Sequence, residues 1–149
     1  MTVVRHGLQV APPPGWDVRI YRRDAAVGET THPILHAATT RLPADRGDYG
    51  SNVVDRLGPD DAFVALLEFG PEAAAATLFA RGGAPRLTAR DFHPRQLHRA
   101  LPGQSGVQSF FHVRGRAFGL YAVLGAHSRR LLVAPRVHAL VASIRVEPV

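Results

Sequence analysis

Ala62-Phe63-Val64-Ala65-Leu66-Leu67-Glu68-Phe69 is the stretch on which the fold turns. In an extended chain, successive side chains point to opposite faces. Phe63, Ala65, Leu67 and Phe69 therefore share one face, and Ala62, Val64 and Leu66 share the other. Both sets are apolar, which predicts a strand covered on both sides. Arg116-Ala117-Phe118-Gly119-Leu120-Tyr121-Ala122-Val123-Leu124 repeats the pattern: Phe118, Leu120 and Leu124 oppose Ala117, Tyr121 and Val123. Two such strands require a layer above the sheet and a layer below it.

The neighbouring segments supply the rest. Residues 108–113 pair with the second strand as a hairpin closed at Arg114-Gly115. Trp16, Val18 and Ile20 alternate with Asp17, Arg19 and Tyr21, the pattern of a half-buried strand in which Trp16 anchors the first hairpin to the core. Residues 34–42 read as a further strand. Ser51 is placed to cap a short helix through Arg56, ended by Gly58-Pro59. Pro71-Glu72 opens an alanine-rich helix to about residue 80, because proline and an acid both suit a helix start. Residues 81–89 are loop, broken at Gly82-Gly83, and residues 94–100 form a short helix. Pro135 lies near the first turn of a last helix carrying Val137, Leu140 and Val141, and residues 144–146 close the chain as a strand. The hairpins imply antiparallel pairing. A chain of 149 residues fits one domain, 1–149. The predicted fold class is α+β, a three-layer α/β/α sandwich around a largely antiparallel sheet, with a ferredoxin-like arrangement as the alternative.

Charge is distributed unevenly. All 18 basic residues are arginine, as GC-rich coding favours. Residues 1–75 hold 7 arginines against 10 acids, whereas residues 76–149 hold 11 against 2, Asp91 and Glu147. Codon bias explains the choice of arginine but not the loss of acids. A half carrying +9 attracts an anionic surface such as an acidic protein, nucleic acid or a phospholipid headgroup, unless the acidic half of the same chain lies against it. Cysteine is absent, which removes disulfides, thiolate metal sites and thiol nucleophiles. The opening Met1-Thr2-Val3-Val4-Arg5-His6 shows no charged stretch followed by an apolar run, and the longest apolar run, 117–126, is too short to span a bilayer. A cytoplasmic location without a membrane span is therefore expected.

Two resemblances bear on function. Gly7-Leu8-Gln9-Val10 followed by Pro14-Gly15-Trp16, with a closing hairpin, helix, Val141-Ala142-Ser143 and Ile144-Arg145-Val146, resembles proteins of the Mog1/PsbP-like fold. That resemblance implies a non-enzymatic binding or assembly module. Arg114-Gly115-Arg116-Ala117-Phe118-Gly119-Leu120-Tyr121 resembles the longer signature of the RNA recognition motif, and Phe63-Val64-Ala65-Leu66-Leu67 its shorter one. It implies bases stacked on Phe63 and Phe118, with arginines on phosphate. Arg116 stands where that signature has an aromatic residue and Gly119 where it has an aliphatic one. An open stacking platform would also not carry Leu120 and Leu124 on the face of Phe118.

Catalytic and metal motifs fail one by one. A Walker-type phosphate loop needs the lysine this chain lacks, and no G-x-G-x-x-G occurs. Gly103-Gln104-Ser105-Gly106 is one residue short of a nucleophile elbow. His32 and His36 flank Pro33 and enter a predicted strand, where residues four apart stand ~13 Å from each other, too far to share an ion. His93 and His98 make a poor helical pair. Asp60-Asp61 fits turn chemistry, and Asp45 and Asp48 belong to a polar loop. No cofactor or metal is implied. The expectation is a binding module that contacts an acidic protein surface through its basic half or an edge of its sheet. Its candidate contacts are Arg114, Arg129 and Arg130 in turns and Arg95 and Arg99 on the short helix. Nucleic-acid binding is the second reading, and an enzyme with a dispersed site the third.

Overall fold

A computed structural model describes residues 1–44 and 47–148, so Asp45 lies outside the described residues. The strands are β1 (Val3–Arg5), β2 (Leu8–Val10), β3 (Asp17–Tyr21), β4 (Ile34–Ala38), β5 (Ala62–Phe69), β6 (Ser105–Val113), β7 (Arg116–Leu124) and β8 (Arg145–Val146), with one α-helix, α1 (Arg130–Ala142), among the described residues. Five strands form the main sheet in the order β3-β4-β5-β7-β6, and β1-β2-β8 form a second, small sheet. Every ladder is antiparallel.

The two doubly apolar strands lie side by side in the middle, with Leu66 opposite Leu120. Every residue of β7 is buried. On one face, Ile20, Leu35, Val64, Leu66, Leu120 and Leu124 pack in a core with Val133, Val137, Leu140 and Val141 of α1 and with Leu8 and Val10 of the small sheet. On the other, Phe63, Ala65 and Ala38 pack with Leu42 and Val53. Both faces are covered, but only one by an α-helix. The second covering is loop and single 3-10 turns, which corrects the α/β/α expectation. The ferredoxin-like alternative also fails, since its β-α-β-β-α-β order needs a second helix, and the described residues hold one.

Each missing helix has a cause. Residues 71–80 form two 3-10 turns, Pro71–Ala75 and Thr77–Phe79, parted by the extended Ala76. A surface helix needs an apolar stripe facing a core, and this segment buries one side chain, Phe79, which packs on Phe69 and Phe110. Around residue 51, the Ser51 hydroxyl accepts the Gly47 N–H (2.8 Å) and caps nothing, while Ser51 and Asn52 take positive φ. Only the 3-10 turn Val53–Arg56 follows. Residues 94–100 shrink to the turn Pro94–Gln96. Conversely, α1 starts five residues before Pro135, so the proline sits inside it. The carbonyl it leaves without its helical partner is that of Leu131, a residue 80% exposed.

Two hairpins close with paired positive-φ residues, His6-Gly7 between β1 and β2 and Arg114-Gly115 between β6 and β7. That geometry suits the twist of two-residue hairpin loops. Arg116 fastens the two sheets together. Its Nε and Nη2 donate to the Glu68 carboxylate (2.8 and 2.6 Å), Nη1 to the carbonyls of Gly7 and Glu147 (3.0 Å each), and Nη2 also to that of His6 (3.2 Å). All five guanidinium donors are engaged.

Candidate functional site

The main sheet has two edges. Strand β1 packs beside β3 at one of them. The other is β6, and its outward rungs are treated unequally. Antiparallel pairing turns alternate residues outward. Gly106 exchanges both backbone bonds with His93 (2.9 and 3.0 Å), and His112 bonds Arg81 and Gly83 (2.8 and 2.9 Å), so Gly106, Gln108, Phe110 and His112 are the outward set. Gln108 and Phe110, between the two closed rungs, make no outward backbone hydrogen bond among the described residues. A short window of unpaired N–H and C=O groups is thus left open and bounded at both ends.

A groove of ≈ 270 Å³ runs along this window. Gln108 and Ser109 line it from β6, and Arg81, Arg86, Arg90 and His93 from the segment that closes its ends. The one acid in the groove, Asp91, accepts the N–H and hydroxyl of Thr88 (2.7 and 3.1 Å). The side chains of Arg81, Arg86 and Arg90 make no hydrogen bond or ion pair among the described residues. Arg86 and Arg90 also border a shallow apolar groove formed by Leu87, Ala89, Leu131 and Pro135. The Leu87 N–H donates to His138 Nδ1 (3.3 Å), which ties the arginine-bearing loop to α1.

The five arginines singled out from sequence are scattered. Arg99 pairs with Asp55 (2.7 Å) and Arg129 with Asp60 (2.6 Å), both on the surface. The Arg129 guanidinium holds the Asp60 carboxyl below its ordinary range. Arg130 donates to the His127 carbonyl (3.1 Å). Arg95 is exposed, and Arg114 lines a different cavity. With Arg116 on Glu68, three of the eleven arginines of the basic half meet acids of the other half, so part of the asymmetry is neutralised within the fold. The groove arginines were legible only as a run of bases, 81 to 95, interrupted by one acid; their convergence on β6 is a tertiary effect.

Phe63 and Phe118 are both fully buried, and they belong to opposite faces of the sheet. They cannot form a stacking platform, which corrects that expectation. The two departures from the RNA-binding signature have structural roles: Arg116 joins the sheets, and Gly119 leaves room for Phe110 and Phe69. Asp61 serves the turn, accepting the Gly58 N–H and the Thr39 hydroxyl (2.8 Å each). Ser105 is buried at the start of β6 and its hydroxyl has no partner, whereas a nucleophilic serine needs a base in reach. His36 is buried against Tyr21 and Phe63, with Nε2 2.7 Å from the Asp48 carbonyl. That acceptor places the proton on Nε2, and burial pushes the imidazole down to about 4. His98 stacks on Tyr121 at 3.7 Å. Among the described residues no group of three or more histidines and acids stands close enough to hold a metal ion, and no helix is long and apolar enough to cross a membrane. Comparison with protein-family models, curated proteins and solved structures finds no match for this chain.

Proposed function

We propose that the protein is a non-enzymatic binding module that takes an extended acidic segment of a partner protein along the open edge of β6. The observation that carries this is the coincidence of two unpaired rungs, Gln108 and Phe110, with three unpaired arginines beside them. Strand addition to a sheet edge gives affinity through backbone bonds and specificity through neighbouring side chains. Here the arginines would select carboxylates, and the apolar groove beyond Arg86 and Arg90 would receive an apolar side chain. The closed rungs at Gly106 and His112 limit the segment to a few residues, which also guards the edge against open-ended self-pairing. The Mog1/PsbP-like pattern of the chain's opening and ending supports the same binding role.

The test is fluorescence anisotropy with labelled ten-residue peptides, one rich in Asp and Glu with two leucines, one with the acids replaced by their amides. The acidic peptide is expected to bind, and to weaken as salt rises. Replacing Arg81, Arg86 and Arg90 together by alanine is expected to cost roughly 3- to 150-fold, since each exposed pair contributes ~0.2–1 kcal/mol. Equal affinity for both peptides, or for the triple variant, would sink the proposal. Tighter binding of single-stranded RNA or DNA than of the acidic peptide would replace it with the nucleic-acid reading.

A further inference from the structure

A second cavity lies where α1 runs out above the tip of the β6–β7 hairpin. Its volume is ≈ 350 Å³, within the range of small-molecule sites, roughly 300–1,000 Å³. Leu66, Phe111, Leu120 and Val141, each almost completely buried, form its inner wall. Two arginines, Arg114 and Arg145, stand among its lining residues, and no acid does. Both are exposed, so they sit at the mouth. Arg114 has no hydrogen bond or ion pair among the described residues. Arg145 is tethered by Nη1 alone, to the carbonyls of Ala142 (2.7 Å) and Ile144 (3.1 Å). That tether offsets the negative end of the α1 dipole and leaves Nε and Nη2 without a hydrogen-bond partner among the described residues. The hairpin turn fixes Arg114 at positive φ, so its position at the rim is built in rather than incidental.

An apolar chamber with an unpaired cationic rim matches one ligand chemistry. We infer that this cavity binds a small amphipathic carboxylate, its apolar tail against Leu66, Phe111 and Leu120 and its head group on Arg114 and Arg145. The inference stands apart from the β6 edge: the two sites share no lining residue.

Isothermal titration of the full chain with hexanoate, octanoate and decanoate, all below their micelle concentrations, tests it. Affinity is expected to rise about fourfold per added methylene until the chamber is full. Octanol, which lacks the charge, is expected to bind at least tenfold more weakly than octanoate, because a hydrogen bond to a charged group contributes about 1.5–3 kcal/mol. Phenylpropanoate in place of the straight chains distinguishes an aryl from an alkyl ligand. Arg114→Ala and Arg145→Ala should each weaken octanoate several-fold and leave octanol unchanged. Ala142→Phe, which fills the mouth from the exposed end of α1, should abolish both; an unchanged thermal melt shows that each variant is folded. The inference is overturned if folded protein binds none of the series, if octanol matches octanoate, or if the alanine variants bind octanoate as the parent does. It is equally overturned if octanoate binding is lost on replacing Arg81, Arg86 and Arg90 instead.

Discussion

At the residue scale, His36 and Arg116 show how much of the chain's polarity is spent inside. His36 was legible as a strand residue and as a poor metal ligand, but its burial between Tyr21 and Phe63 depends on strands β3 and β5, far away in sequence. Unfolded, its imidazole titrates near 6.5; folded, near 4, chiefly because burial opposes the charge, with Arg19 adding to the effect. Between those values unfolding takes up a proton, so stability is lost as pH falls. The loss is absent above 6.5 and amounts to about 1.4 kcal/mol per pH unit down to about 4. Urea titrations from pH 7 to 4.5 should show that slope, and His36→Gln should remove it; an equal slope in both proteins would refute the assignment. Arg116 is the buried partner of Glu68, each side chain 8% exposed. Arg116→Met strands a buried carboxylate and should cost about 3–5 kcal/mol, whereas Arg116→Met with Glu68→Leu should recover most of it. A single variant within 1 kcal/mol of the parent would contradict the clamp. The sequence marked Arg116 as a departure from the RNA-binding signature, without showing what it joins.

At the element scale, the strands and the last helix were readable, and the three shorter helices were not. Period-two alternation located β3, β5 and β7 because each is long enough to declare both faces. The Arg114-Gly115 turn announced the β6–β7 hairpin, since positive φ at two adjacent positions calls for such a pair. Helix-start signals at Ser51, Pro71 and Pro94 were present, yet none was followed by an apolar stripe wide enough to hold a helix on the sheet. Proline gives the sharpest test of the β6 rungs. Proline is accepted in an edge strand where the N–H faces away from the ladder. Gln108→Pro should therefore fold with nearly unchanged stability but lose peptide binding. Ser109→Pro, which removes a bond to Leu120, should cost about 3 kcal/mol or more. Equal thermal shifts for the two would mean that the outward set is wrongly assigned.

At the scale of the whole molecule, the charge asymmetry resolves into two parts. Arg99, Arg116 and Arg129 meet acids of the first half, and such surface pairs as Arg99–Asp55 should couple by no more than about 1 kcal/mol in a double-mutant cycle. Of the eight other arginines of that half, Arg81, Arg86 and Arg90 gather where the sheet is left open. Composition revealed the excess; only the packing of the 81–93 segment along β6 gives it a location. The most direct test of that account is amide hydrogen exchange by NMR, with and without the acidic peptide. In the free protein the amides of Gln108 and Phe110 should exchange fast, while those of Val107, Ser109 and Phe111, turned toward β7, are protected. Added peptide should slow exchange at Gln108 and Phe110. Peptide binding that leaves those two amides fast would contradict the account.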